Sequence, residues 1–318
     1  MIFYLLSFGA VFLALFAGLI FLELSARDQR RPFPTDEKLL REAGHSLRLK
    51  LAELDRSLTR QILVLILVGI APLMNLTSWS AKSSVPPWLA WLTFGILVLT
   101  ISLALFTVVR YANRRRNTAL GLFGERIVAE HLEPLKISGH RVFHDVPAGD
   151  PPAGSTKPPF NLDHVVVGPS GVFAIETKTR RKGRARVGFM AHEIIYDGRA
   201  LAYPWGEDKF GLEQAARQSA WLGQFLQNQL GRPIPVQPLL VFPGWMIIRK
   251  GRGSVNVLNP RELPAAIERP PASTSDSGLR PSDFALRNSA ASGGSALDPA
   301  TIDLIARQLD ARCRDVEL

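Results

Sequence analysis

Three apolar runs near the start of the chain constrain its fold more than any other feature. Residues 1–22, MIFYLLSFGAVFLALFAGLIFL, carry no charged side chain. A helix needs about 20 apolar residues to cross a bilayer. The run lacks the basic start of a secretory signal and is longer than the apolar core of one, so residues 1–24 are expected to remain as a transmembrane anchor. A second run, 61–81, is interrupted by Asn75, Thr77, Ser78 and Ser80 and is expected to span only beside a partner. The partner is the third run, about 86–109, which has Trp88 and Trp91 at one end and Tyr111 at the other. Such rings favour the membrane interface, and residues 61–111 are predicted to form a transmembrane hairpin.

Basic residues set the expected orientation. Arg27, Arg30, Arg31, Lys38, Arg41, Arg48, Lys50, Arg56 and Arg60 lie in the segment 25–60, and Arg110, Arg114, Arg115 and Arg116 follow the third run. The connection 75–87 has only Lys82. Loops rich in Lys and Arg stay in the cytoplasm. The N-terminus and hairpin tip are therefore expected outside, with 25–60 and everything after 110 inside. The net charge of +10 has a sufficient cause in these residues, which also attract anionic lipid headgroups. Within 25–60, Leu40, Leu47, Leu51, Leu54 and Leu58 form one stripe on a predicted basic amphipathic helix that begins after Thr35. That stripe suits a second copy, another membrane protein or the bilayer itself; a bent continuation of the second span is the competing reading. A single cysteine, Cys313, excludes an internal disulfide, and the six His show no zinc-ligand spacing.

From residue 117 the pattern becomes that of a folded domain, 117–268. A helix, NTALGLFGERIVAEHLEPL, is expected to end near Pro134, with Gly121 and Gly124 allowing close approach to its backbone. The strand HRVFHDV follows, then a Pro/Gly loop, an apolar hairpin NLDHVVVGPSGVFAIETK, and a basic loop TRRKGRAR. A small strand pair in HEIIYDGRALAY precedes a helix, DKFGLEQAARQSAWLGQFLQNQL, closed by Gly231 and Pro233. PVQPLLVFPG and SVNVLN read as strands, and NPRELPAAIERP opens a short helix. Residues 269–298 lose apolar periodicity and are expected to be a disordered insert. A C-terminal helix, 299–318, is capped by Asp298. This order predicts an α/β fold with a mixed central sheet flanked by helices, preceded by three transmembrane helices.

The chemistry concentrates in the hairpin. With Pro169 and Ser170 central in the turn, Val167 faces Val172, and stepping outward sets Asp163 opposite Glu176 and Asn161 opposite Lys178. Asp163, Glu176 and Lys178 then share one side of the sheet. A three-residue loop with a bulge at Gly171 competes and would shift the pairing by one. Opposed carboxylates on an apolar sheet repel and lose hydration, which a divalent cation reverses. Carboxylates with water suit Mg²⁺ or Mn²⁺, and a neighbouring lysine can orient an attacking water or offset charge on phosphorus. The competing reading is a strand end with an exposed Asp163–Lys178 ion pair.

GLFGERIVAEHL, NLDHVVVGPSGVFAIETK and GLEQAARQSAWL, in this order, resemble the NERD (nuclease-related) domain family over about residues 117–268. The resemblance implies a PD-(D/E)XK nuclease-like core, with Asp163 and Glu176 binding the metal and Lys178 serving the water. Glu125 on the first helix would be an additional acid at the edge of the site. Gln214 and Gln218, four apart on one helix face, would hold a phosphate or water.

The basic loop supplies Arg180, Arg181, Lys182, Arg184 and Arg186, suited to phosphates rather than bases. No helix-turn-helix, zinc finger, aromatic stacking motif or nucleotide-binding glycine loop accompanies it. The expectation is a Mg²⁺- or Mn²⁺-dependent phosphodiesterase of low sequence specificity acting on DNA or RNA. It would be an integral protein of a bacterial inner membrane, with its nuclease-like domain in the cytoplasm. The alternative is a scaffold that uses the same fold to hold nucleic acid or a membrane partner without cleavage.

Overall fold

The computed structural model describes Gly18 and residues 38–80, 87–149, 160–268 and 296–316. The first apolar run, apart from Gly18, and residues 269–295 of the insert lie outside the described residues. The chain divides into two units, one containing residues 48–119 and the other residues 37–47 and 120–317.

The first unit is helical. Helices α1 (His45–Ser80) and α2 (Pro87–Leu132) supply it, their remaining turns belonging to the second unit. Arg115 of α2 pairs with Asp55 of α1 at 3.0 Å, and the Tyr111 hydroxyl donates to the same carboxylate. Leu54 and Leu58 line a cleft of about 330 Å³ together with Phe106 and Tyr111. Part of the leucine stripe thus borders a cleft within the unit.

Three spans are expected from the sequence, yet among the described residues one helix is long and apolar enough to cross a membrane. That helix contains Trp91; its apolar window has mean hydropathy 2.5 and is only 11% buried. The polar residues from Asn75 to Ser80 dilute the preceding run, and the first run is outside the described residues. Two boundaries also need correction. α1 begins at His45, after Gly44 with a left-handed φ of 73°, and continues past residue 60 without a break. A helix cannot pass through that φ, and a Cβ at Gly44 would stand 2.2 Å from Leu122 Cδ1, so glycine is favoured there. The third run and the domain's first helix are one helix, because nothing between Arg110 and Leu120 breaks it.

The second unit is mixed α/β. Its strands are β1 (Leu39–Leu40), β2 (Arg141–Pro147), β3 (Asn161–Gly168), β4 (Gly171–Thr177), β5 (Glu193–Tyr196), β6 (Leu201–Tyr203), β7 (Gly206–Asp208), β8 (Val236–Val241), β9 (Met246–Arg249), β10 (Asn256–Leu258) and β11 (Arg314–Val316). The helices are the end of α2, α3 (Phe210–Leu230), α4 (Leu263–Glu268) and α5 (Pro299–Cys313).

The main sheet has the order β10-β8-β4-β3-β2, antiparallel from β2 to β4 and parallel from β4 to β10. A second sheet, β7-β6-β5-β9, takes in the expected strand pair and adds β7 and β9, two short strands with too few residues to show a period. β1 pairs with β11, so residues 314–316, expected as helix, form a strand instead.

Two cores sandwich the main sheet. One joins Val165, Val167, Val172 and Ala174 to Leu222 and Leu226 of α3 and Ile305 and Leu309 of α5. The other joins Val166, Phe173 and Ile175 to Val128 and Leu132 of α2. This alternation follows the period of two in a strand. It breaks at one step: Leu162 and Val165 lie in the same core, as do Phe143 and Val146. The ladder pairs His144 with His164 and then Val146 with Leu162, omitting Asp145 and Asp163, and Asp145 has a left-handed φ of 48°. Aspartate is among the few residues that tolerate this conformation.

Candidate active site

β3 and β4 keep the register in which Val167 faces Val172 and His164 faces Ile175. The bulged alternative is not adopted. The ladder ends at that second pair, and just beyond it Asp163 Oδ2 accepts the Thr177 N–H at 2.7 Å. The break at Asp145 and Asp163 therefore leaves a strand-end amide satisfied by a side chain rather than by a ladder carbonyl.

Glu176 is 2% exposed. Lys178 Nζ lies 2.6 Å from its Oε1, and Gln218 Nε2 donates to its Oε2 at 2.5 Å. Lys178 also donates to Gln214 Oε1 at 2.9 Å, and Gln218 reaches the Asn161 carbonyl at 3.3 Å. The two glutamines, one helical turn apart on α3, thus bracket the Glu176–Lys178 pair. Glu125, on α2, is 8% exposed and is hydrogen-bonded by the Gly44 backbone.

α2 reaches the site because Gly124 has no side chain. A Cβ there would stand 2.0 Å from Thr179 Cγ2, just beyond Lys178. The six residues Glu125, Asp163, Glu176, Lys178, Gln214 and Gln218 are therefore linked through hydrogen bonds, ion pairing or mutual charge effects.

Carboxyl groups outnumber cations there. Burial, followed by repulsion from Asp145 and Glu176, pushes the Glu125 carboxyl up to about 8. Burial, followed by Glu176 and Glu125, raises the Asp163 carboxyl well above its ordinary range. Lys178 opposes both shifts but is one cation among several carboxyl groups. Such a set holds a proton near neutrality or takes up a cation.

The donors fit a hard divalent cation in chemistry: carboxylate oxygens, with a buried acceptor, Gln218 Oε1, that has no hydrogen-bond partner and that a bound water would satisfy. Among the described residues, no group of three or more His, Cys, Asp or Glu is arranged as a ready-made metal site.

Asp145 and the segment before α1 carry no signal in local sequence pattern. Asp145 accepts from Ser46 N at 2.9 Å, Ser46 Oγ at 2.6 Å, Asn161 Nδ2 at 3.0 Å and Arg41 Nη1 at 3.2 Å. Arg41 also pairs with Asp315 at 2.6 Å. Residues 38–47 thereby strap the site end of β2 and β3 to the C-terminal strand. Only the αL-tolerant residue type at Asp145 could have hinted at this.

The basic loop is exposed but not wholly free. Arg180 lies 3.6 Å from Asp208 and over the Tyr203 ring, Lys182 lies over Trp245, and Arg186 over Phe189. Arg181 and Arg184 are exposed.

The fold and cluster define a mixed α/β domain with an acid, lysine and amide site at the open end of a central hairpin. Residues 120–243 match the family model of the nuclease-related domain, NERD. That span contains all six clustered residues and the basic loop, but not the 38–47 strap or α5. No curated protein and no solved structure matches the chain.

Proposed function

We propose that this chain is a membrane-anchored, divalent-metal-dependent phosphodiesterase that acts on DNA or RNA with little sequence specificity. Its α/β domain would lie on the cytoplasmic side of a bacterial inner membrane. The observation that carries the reading is the buried excess of carboxyl groups around one lysine, at the place where the nuclease-related match falls. A sheet end gains no stability from such a set unless something positive joins it.

Asp163 and Glu176 would hold the cation. When bound, it would balance their charge and polarise a phosphodiester oxygen. The remaining work belongs to the protein. Lys178 uses donors on Glu176 and Gln214, which fix its ammonium and leave a third donor for a phosphate oxygen or the attacking water. Glu125, whose carboxyl burial pushes up to about 8, is suited to accept or return a proton there. Gln218 fixes the orientation of Glu176. The exposed Arg181 and Arg184 add positive charge beyond Lys178, where they would attract the substrate backbone.

The test is cleavage of plasmid, linear and single-stranded DNA, and of RNA, by the full-length chain in detergent with Mg²⁺ or Mn²⁺. Cleavage should require the metal and be lost in Asp163→Ala and Lys178→Ala. A second reading, a scaffold that holds nucleic acid without cutting it, draws on the mutual satisfaction of Lys178, Glu176, Gln214 and Gln218. Metal-independent binding with no cleavage of any substrate would favour it.

A further inference from the structure

The surface beside Lys178 is aromatic as well as basic, which the order of residues along the chain does not show. Phe210, the first residue of α3, is 56% exposed, and Lys178 Nζ lies 5.6 Å from its ring centroid. Trp205 is 42% exposed and stacks on Tyr203 with centroids 5.4 Å apart and planes 15° from parallel.

The basic loop is fastened over this surface at both ends. The Trp245 indole N–H donates to the Arg180 carbonyl at 3.3 Å, and the Arg186 N–H donates to the Pro204 carbonyl at 2.9 Å. Between these points Gly183 lies against Trp205: a Cβ on it would be 3.4 Å from Trp205 Cε3. Single exposed aromatics are ordinary. Here Phe210 lies beside Lys178, and Trp205 lies against the fastened run of cations that follows it in the chain.

Duplex DNA turns its phosphates outward and keeps its base faces stacked, so it has use for the arginines but not for the rings. An unpaired strand uses both, since every base has a face to stack and every link a phosphate. We infer that Phe210 and Trp205 form a stacking platform for a single-stranded nucleic acid whose phosphates follow Arg180, Arg181, Lys182 and Arg184 toward Lys178. This names the substrate class of the proposed phosphodiesterase and rests on that reading.

The test uses the full-length protein in detergent with a chelator present, so that binding is read without cleavage. Fluorescence anisotropy compares a labelled oligothymidylate with a duplex of equal length. The single strand should bind roughly tenfold tighter than the duplex. Phe210→Leu and Trp205→Leu should each weaken it by roughly 5- to 100-fold and leave duplex binding unchanged, whereas Phe210→Tyr should bind normally. Replacing Arg181 should weaken both ligands and lower the salt slope by about one. Thermal unfolding of the leucine variants controls for folding.

Equal affinity for duplex and single strand, or full-strength binding by both leucine variants, overturns the platform. Cleavage is followed in parallel with Mn²⁺. If cleavage persists while the platform fails, the phosphodiesterase reading stands alone. Ring-dependent strand binding without any cleavage upholds the platform and removes the hydrolytic role.

Discussion

Lys178 Nζ stands 2.6 Å from Glu176 Oε1, and Glu176 is 2% exposed. The pair therefore holds a buried charge in place, and breaking one side leaves the other uncompensated, at a cost of about 3–5 kcal/mol. Lys178→Met should lose about 3 kcal/mol of unfolding free energy. Adding Glu176→Gln should recover most of it, and neither variant should cleave. Denaturant titration of both variants in detergent checks this; a double variant no more stable than the single one would separate stability from the ion pair.

Glu125 ties stability to pH. Its carboxyl, ordinarily near 4.5, is pushed up to about 8, so between these values the folded chain retains a proton that the unfolded chain releases. Stability without metal should therefore fall as pH rises from about 4.5 to about 8. Glu125→Gln should show a shallower fall and be more stable at the upper end by on the order of 2 kcal/mol. Unfolding midpoints across this range, measured with a chelator, give both slopes.

Asp145 is buried and accepts from Ser46, Asn161 and Arg41. Asp145→Ala strands those donors and should cost about 2–4 kcal/mol. Asp145→Asn should cost less and also act at a distance. Because the Asp145 charge helps to raise Glu125, its removal should move the Glu125-dependent limb of the pH–rate profile to lower pH. An unmoved profile would exclude electrostatic coupling between the strap and the site.

Gly124 is where α2 meets the chain just beyond β4 and the lysine. Gly124→Ala would drive a methyl to 2.0 Å from Thr179 Cγ2 and should cost about 1–3 kcal/mol, with reduced activity. Thr179→Ser removes the clashing carbon, so Gly124→Ala/Thr179→Ser should recover both. Thermal unfolding and cleavage, measured side by side, show whether the two losses share this cause.

The hairpin was legible because its information is local. A glycine-bounded turn between two apolar runs allowed two registers, and the structure adopts the one in which Val167 faces Val172 and His164 faces Ile175. α3 was legible from its period, with its end at Gly231, whose N–H donates to the Gln227 carbonyl. The length of α2 was not, because a change from apolar to charged residues marks a change of surroundings and does not interrupt backbone hydrogen bonding.

The outer strands of the second sheet escaped for a different reason: β7 and β9, of three and four residues, are too short to show alternation, and β9 is recruited by parallel pairing with the distant β5.

By itself the sequence determined the residue types of the site, the two-residue spacing of Glu176 and Lys178, and the apolar run that precedes the domain in the chain. Those depend on side-chain chemistry and on periods of two and 3.6 residues, which any stretch of chain expresses locally. Only the tertiary structure decided that Glu125 and the α3 glutamines meet the hairpin, that Arg41 and Ser46 anchor Asp145, and that Phe210 opens beside Lys178 and Trp205 beside the basic loop. These meetings join residues as many as 104 positions apart, as Arg41 and Asp145 are. They are set by packing helices on both faces of one sheet, which no local pattern encodes.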